Sequence, residues 1–223
     1  MALGNITSQV ISKQRVSDHG EVLTAEREVN AMLDMVRHET ERIDSRFLEP
    51  ACGTGNFLAP VYEKKLAVIK KRYGKSQLEF ERYAVTGTGS IYGVDILEDN
   101  IKLCRKRLFD IFNELYTALY KKRSKDAVRS AVRFVLNRNI LWGDALSLKT
   151  VSKQPMPIVF SEWSMVRGSM MKRRDFSFEE LMPDSAAKVS LFKQAEISDL
   201  GTPAFIPTPV KEYPLTHFLS LHV

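Results

Sequence analysis

From Thr24 onward, the apolar positions Val29, Met32, Leu33 and Val36 recur at helical spacing. Thr24 is placed to cap that helix, and Glu26 and Glu28 fall in its first turn. The residues ahead of it, 1–19, are polar and patternless and predict a loose arm. Phe47 and Leu48 then form a short apolar entry into Glu49-Pro50-Ala51-Cys52-Gly53-Thr54-Gly55, and Phe57, Leu58, Val61 and Tyr62 mark the buried side of a helix from Asn56 to about Tyr73. The pattern is strand, tight loop, helix. Residues 74–89 read as a polar, glycine-punctuated connection with a short helix around Leu78 to Tyr83. Ser90 to Leu97 is a strand rich in β-branched and aromatic residues, closed by Glu98-Asp99, which suit a helix N-terminus. Cys104, Leu108, Ile111, Phe112, Leu115 and Leu119 draw one apolar stripe along a long helix, and Val128, Ala131, Val132 and Val135 mark another. Asn139 to Leu146 gives a third strand and Pro157 to Trp163 a fourth.

Alternating strands and helices predict an α/β fold whose sheet is mainly parallel with helices on both faces. Seven of the nine prolines lie beyond residue 150, and Pro203 to Pro214 is too proline-rich for a regular central strand or helix. The chain thus divides into an arm over 1–19, a domain over 20–165 and an irregular extension over 166–223. That extension is equally suited to wrapping the domain or docking on another protein.

At 223 residues the chain can bury one substantial core. It contains no long apolar segment, and Met1 to Val10 shows no basic start followed by an apolar run, which predicts a cytoplasmic protein with no membrane partner. Its two cysteines, Cys52 and Cys104, lack the spacing of a disulfide framework or a zinc site, and no metal is expected. The formal charge of +6 makes a polyanionic partner plausible without requiring one. Lys70-Lys71-Arg72 and Lys121-Lys122-Arg123 sit near the ends of long predicted helices, where cations complement the helix dipole. Lys172-Arg173-Arg174 lies in a stretch read as irregular and, with Arg167, is the better candidate for phosphate contact.

The chemistry converges on the glycine loop. Gly53 and Gly55 let the backbone turn sharply and admit a flat ligand close to the main chain, while Asn56 is placed to cap the following helix. Loops after successive parallel strands meet at one sheet edge, so Asp95 and Asp144 would line the same crevice. A carboxylate past the second strand suits vicinal ribose hydroxyls, with capping of the next helix as the alternative use of Asp95. Asp144 suits an exocyclic amine of adenine, whose ring would rest on Ile96, with a plain turn aspartate as the alternative. The dinucleotide fingerprint fails at Leu58, where a small residue is wanted, and no GxxxxGK[ST] occurs. An adenosine-containing ligand without an obligatory phosphate remains.

The run Glu49 to Leu58 (EPACGTGNFL) resembles the cofactor loop of S-adenosylmethionine-dependent DNA methyltransferases, particularly the adenine-modifying M subunits of restriction-modification systems. Gly20 to Met32 is similar to the segment that precedes this loop in those subunits, with Thr24 matching and Ala25 standing where a proline is usual. Ile91 to Asp95 and Asn139 to Leu146 look like the family's second and third motifs. The resemblance spans residues 20 to 150. It implies a Rossmann-like methyltransferase fold that binds S-adenosylmethionine through Thr24, the loop residues Glu49, Pro50, Ala51, Cys52, Gly53, Gly55, Asn56 and Phe57, then Asp95, Ile96 and Asp144. It implies methyl transfer to the N6 amine of adenine in double-stranded DNA.

One motif departs from the family. The Asn-Pro-Pro-Tyr or Asp-Pro-Pro-Tyr sequence that holds the target amine and stacks on the flipped base occurs nowhere in the chain. At the corresponding distance stand Ser161, Glu162 and Trp163, with hydrogen-bond acceptors and a ring in the same order; Trp163 fits the core equally well. Beyond Asp144 about 80 residues follow, short for the rest of the sheet plus a target-recognition domain. Three expectations stay open: a DNA methyltransferase using Ser161 to Trp163, a non-catalytic cofactor-binding subunit that takes its target-base pocket and DNA recognition from a second chain, or a methyltransferase acting on RNA, protein or a small molecule.

Overall fold

The structure, a computed structural model, describes residues 15, 24–181, 196–197, 203–204 and 207–222. The chain is α/β. Helix α1 (Glu26–Met35) is followed by a single turn, α2 (Arg37–Thr40), and the first strand, β1 (Phe47–Glu49). Ala25, not Thr24, is the N-cap of α1, and no side chain caps it; the Ala25 carbonyl accepts from the N–H groups of Glu28 and Val29. Between β1 and β2 (Ile91–Asp95) run two helices, α3 (Leu58–Tyr73) and α4 (Gln77–Thr88). Between β2 and β3 (Ile140–Asp144) run two more, α5 (Glu98–Tyr120) and α6 (Asp126–Asn139). The three strands are parallel and adjacent in the order β1-β2-β3, with Phe47 opposite Ile91 and Asp95 opposite Trp142. A two-residue β4 (Lys149–Thr150) joins β3 antiparallel, so the sheet is mixed.

The stretch expected to be a connection with a short helix is the full helix α4. Ser76 caps it by accepting the Glu79 N–H, and Phe80, Ala84 and Val85 are buried. Gly87 is needed there because a Cβ would stand 2.9 Å from the Ile69 side chain on α3. Each crossover between parallel strands is therefore a helix hairpin. At 1.5 Å per residue, α5 is about 34 Å long against about 16 Å for a five-residue strand, so the hairpins overshoot the sheet. Their far ends are locked together. Tyr116 Oη donates to Glu81 Oε1 (2.6 Å), Tyr120 Oη to the Gly74 carbonyl (3.1 Å) and Gln77 Nε2 to the Arg123 carbonyl (2.8 Å).

One face of β2 meets helix, since a Cβ on Gly93 would lie 3.0 Å from Leu58 at the start of α3. On the other face, Tyr92 and Val94 pack with Ile158, Phe160 and Phe178. Those residues belong to or flank an antiparallel hairpin of β5 (Val159–Arg167) and β6 (Met170–Ser177). The expected fourth strand thus turns back on itself instead of extending the parallel sheet, and helices do not cover both faces alone. Past residue 166 the chain is also more regular than expected, because β6 is a full strand that buries Met171, Asp175 and Phe176. Short strands β9 (Lys211–Glu212) and β10 (Thr216–His217) pair with β6, and Phe218 and Leu221 enter the main core, so residues 207–222 wrap the domain. The strands β7 (Glu196–Ile197) and β8 (Pro203–Ala204) pair with each other. Of the arm over 1–19 only Arg15 is among the described residues; it pairs with Asp99 (2.6 Å) and Asn100 (3.0 Å) at the start of α5.

The entry to β1 is fixed by a buried lysine. Lys65 on α3 has no exposed surface, and its Nζ donates to the carbonyls of Arg42 (2.8 Å), Ile43 (3.2 Å) and Ser45 (2.6 Å). Burial pushes its pKa down to about 8.

Candidate cofactor site

The loop after β1 is shaped by its own backbone. The Cys52 N–H donates to the Val94 carbonyl (2.9 Å), which keeps the chain against β2 for one more residue past the strand. Gly53 (φ +50°) and Gly55 (φ +86°) then turn through the left-handed region, where other residues are strained. A Cβ on Gly55 would also stand 3.0 Å from Cys104 Sγ on α5. Asn56 does not cap the helix. Its Oδ1 accepts from Arg107 (2.7 Å), and α3 starts after Phe57 with no side-chain cap. Cys52 is buried, and contact with the Cys104 thiol together with burial pushes its thiol up, which excludes a resting thiolate nucleophile. Pro50 and Ala51 lie in the exposed turn, and Phe57 packs against the core.

Asp95 ties the loop to the end of β2. Its Oδ2 accepts the Gly53 N–H (2.8 Å) across 42 residues, and its Oδ1 accepts the Leu97 N–H (2.8 Å) and Asn100 Nδ2 (3.2 Å). Three donors on a carboxylate with about four acceptor positions leave one free, on Oδ2. Asp95 therefore anchors the turn ahead of α5 without capping it, since Leu97 is the N-cap and no side chain caps the helix, and it still keeps capacity for a hydroxyl. Ile96, the next residue, is 48% exposed. Beside it stands a residue that sequence reasoning passed over: Trp142 on β3, whose Nε1 donates to the Ile96 carbonyl (2.9 Å). Together they make an apolar shelf at the carboxyl edge. The available signal was a tryptophan two residues before Asp144 at a strand end.

Asp144 lies two residues past Trp142, the register partner of Asp95. It accepts from the N–H groups of Leu146 (2.9 Å) and Ser147 (3.3 Å), so it serves as a turn aspartate. The Ser147 side chain and the Leu146 amide hold its carboxyl below the usual range. Glu49 ends β1 half-buried, and burial raises its pKa; its Oε1 accepts the Ala51 N–H (3.4 Å). No cation pairs with it among the described residues, so a positively charged ligand group would complete it. Thr24 is exposed ahead of α1.

The three residues proposed to replace the missing motif are committed elsewhere. Ser161 Oγ is buried, donates to Asp175 Oδ1 (2.7 Å) and accepts from Arg173 Nε (3.1 Å). Glu162 sits between Arg46 and Arg174. Trp163 is 7% exposed, meets Phe134 edge-on and leaves no room for a Cβ on Gly89, which would be 2.9 Å away. The basic run that follows is not irregular but strand β6, and its charges are spent internally: Lys172 on Glu212 (2.8 Å), Arg173 on Asp175 (2.7 Å) and Arg174 on Glu162 (2.7 Å). Burial would raise the Asp175 carboxyl, but Arg173 and Ser161 outweigh it and hold it below the usual range. Arg167 alone of the proposed phosphate contacts is exposed without such a pairing among the described residues.

The chain matches no family model, no curated protein and no solved structure. Among the described residues no group of three or more His, Cys, Asp and Glu could hold a metal ion, and no helix is long and apolar enough to cross a membrane. What stands at the carboxyl edge is a glycine loop, a carboxylate with one free acceptor position, an apolar shelf and two further carboxylates. That set can hold a ligand with vicinal hydroxyls, a flat ring and a cationic end.

Proposed function

We propose that the chain binds S-adenosylmethionine at the loop over residues 49–57 and serves as the cofactor-binding part of a DNA adenine-N6 methyltransferase, with a second chain supplying the target-base pocket. The observation that carries this reading is the Gly53 to Asp95 hydrogen bond, which brings the loop resembling that family and its second acidic position to one place. The order β1-β2-β3 is also that of the first half of a Rossmann-like sheet. In this reading Asp95 takes a ribose hydroxyl on its free position, and Ile96 with Trp142 supports the adenine ring. Asp144 accepts from the ring's exocyclic amine, and Glu49 faces the ammonium of the methionine end. The cofactor supplies an electrophilic methyl on its sulfonium.

The second chain enters because Ser161, Glu162 and Trp163 are occupied in holding the β5–β6 hairpin. Calorimetric titration with S-adenosylmethionine, followed by tritiated-methyl transfer to mixed plasmid DNA, tests both clauses. Binding without transfer is the expected result. Absence of binding would refute the cofactor assignment, and DNA methylation by the chain alone would refute the need for a partner. Affinity should also fall as pH drops through the raised pKa of Glu49, since the protonated acid no longer attracts a cation.

A further inference from the structure

Two basic clusters about fifty residues apart in sequence meet at the far end of the helix hairpins. Lys70 to Arg72 close α3 and Lys75 follows, while Lys121 to Arg123 form the 3-10 turn after α5. The Gln77 to Arg123 and Tyr120 to Gly74 bonds hold the two stretches side by side. All seven cations are exposed. The carboxylates around them are already taken: Glu79 by Arg82, Glu81 by Lys125 and Asp126 by Arg129. Among the described residues none of the seven enters an ion pair, in contrast to Lys172, Arg173 and Arg174.

Helix dipoles do not account for this concentration. The two helix C-termini here carry about half a negative charge each, roughly one unit in total against seven. Lys121 adds a backbone observation: it ends α5 at φ +48°, ψ −122°, a conformation suited to glycine and strained for lysine. The tip offers Leu78 as an exposed large apolar side chain, whereas a protein interface buries an apolar centre and is depleted in lysine. Long flexible ammonium groups acting as point charges suit a phosphate backbone.

We infer that this helical tip binds the phosphate backbone of duplex DNA without reading sequence. It lies roughly 25–35 Å along α3 and α5 from the cofactor loop, so it anchors the chain on DNA apart from the target-base chemistry. The choice of DNA as the polyanion rests on the function proposed above.

Fluorescence anisotropy with a labelled 20-base-pair duplex of mixed sequence, from 50 to 200 mM NaCl, tests the inference on the full chain. The triple variant Lys121→Gly, Lys122→Gln, Arg123→Gln should bind about tenfold more weakly at 100 mM, and its log affinity against log salt should flatten by about 2.7. Lys121→Gly alone should melt no lower than wild type, because it relieves the strained turn, yet bind more weakly. Lys172→Gln, whose ammonium is paired, should bind within twofold of wild type. Wild-type affinity and salt slope in the triple variant would overturn the proposal. So would polyglutamate competing as well as duplex per unit charge, which would assign the tip to an acidic protein. Titration of the same wild-type sample with S-adenosylmethionine separates the two ideas: lost cofactor binding sinks the functional reading alone, and an unchanged triple variant sinks the tip alone.

Discussion

Replacing Asp95 with asparagine keeps the shape of the side chain and removes its charge, so it isolates what the carboxylate does. Asparagine Oδ1 can still accept from Leu97 and Asn100, but its amide nitrogen then faces the Gly53 N–H across the 2.8 Å now spanned by a hydrogen bond. Two donors meet, and the loop loses one charge-assisted bond. Such bonds contribute about 1.5–3 kcal/mol. Gly53 is only partly buried, so water restores some of the loss and the fold should weaken by about 1–2 kcal/mol. Cofactor binding should suffer separately, because the free acceptor position becomes a donor. A loss of about 2 kcal/mol corresponds to nearly thirty-fold in Kd. Urea unfolding gives the first quantity and calorimetric titration with S-adenosylmethionine the second. A variant that stays folded and binds the cofactor within twofold of wild type would refute the role assigned to Asp95.

Trp163→Ala should cost about 3–5 kcal/mol in urea unfolding, the scale for emptying a buried aromatic site, and an unchanged transition would refute its place in the core. Lys65 should give stability a rising pH dependence. Its folded pKa of about 8 lies below the ordinary 10.5, so the unfolded chain binds more protons between those values and stability climbs with pH through that window. Cys52, kept protonated by the Cys104 thiol and by burial, and Tyr62 and Tyr92, kept so by burial, push the other way, so the comparison must be with Lys65→Met. The difference in unfolding free energy between the two proteins should change by about 2 kcal/mol from pH 7.5 to 9.5, and a constant difference would mean that Lys65 does not titrate there.

The parallel strands, the glycine loop and the long stripe on α5 were legible because each is written in local periodicity. Helix α4 reads in the sequence as only a short helix around Leu78 to Tyr83 because its glycines outweigh Ser76 and Glu79, a capping pair, and because Gly87 serves a close helix contact that only the fold reveals. The β5 segment was recognised as a strand, but alternation along one strand does not specify its partner. Lys172 to Arg174 looked like a charge run in a loop because the carboxylates that neutralise it, Glu162, Asp175 and Glu212, come from three different strands. At the site, Asp95 and Asp144 could be named from strand ends, whereas the Trp142 contribution depends on the register of β2 against β3.

Building each crossover from a helix hairpin has a kinetic consequence. The turns at residues 74–76 and 121–125 close over a few residues, while β1 must find β2 across 44 residues, from Phe47 to its partner Ile91, and a whole hairpin. Loop-closure entropy favours the local partners first, so α3–α4 and α5–α6 form early and the parallel strands are zipped afterwards. The glycine loop acquires its shape only when β1 and β2 lie side by side, which makes it among the last regions to become native. Asp95→Asn should accordingly leave the refolding rate unchanged and appear in the unfolding rate, and a slower refolding limb would place the loop in the nucleus instead. A ligand that closes on this loop would then prolong the life of the folded state without hastening its formation.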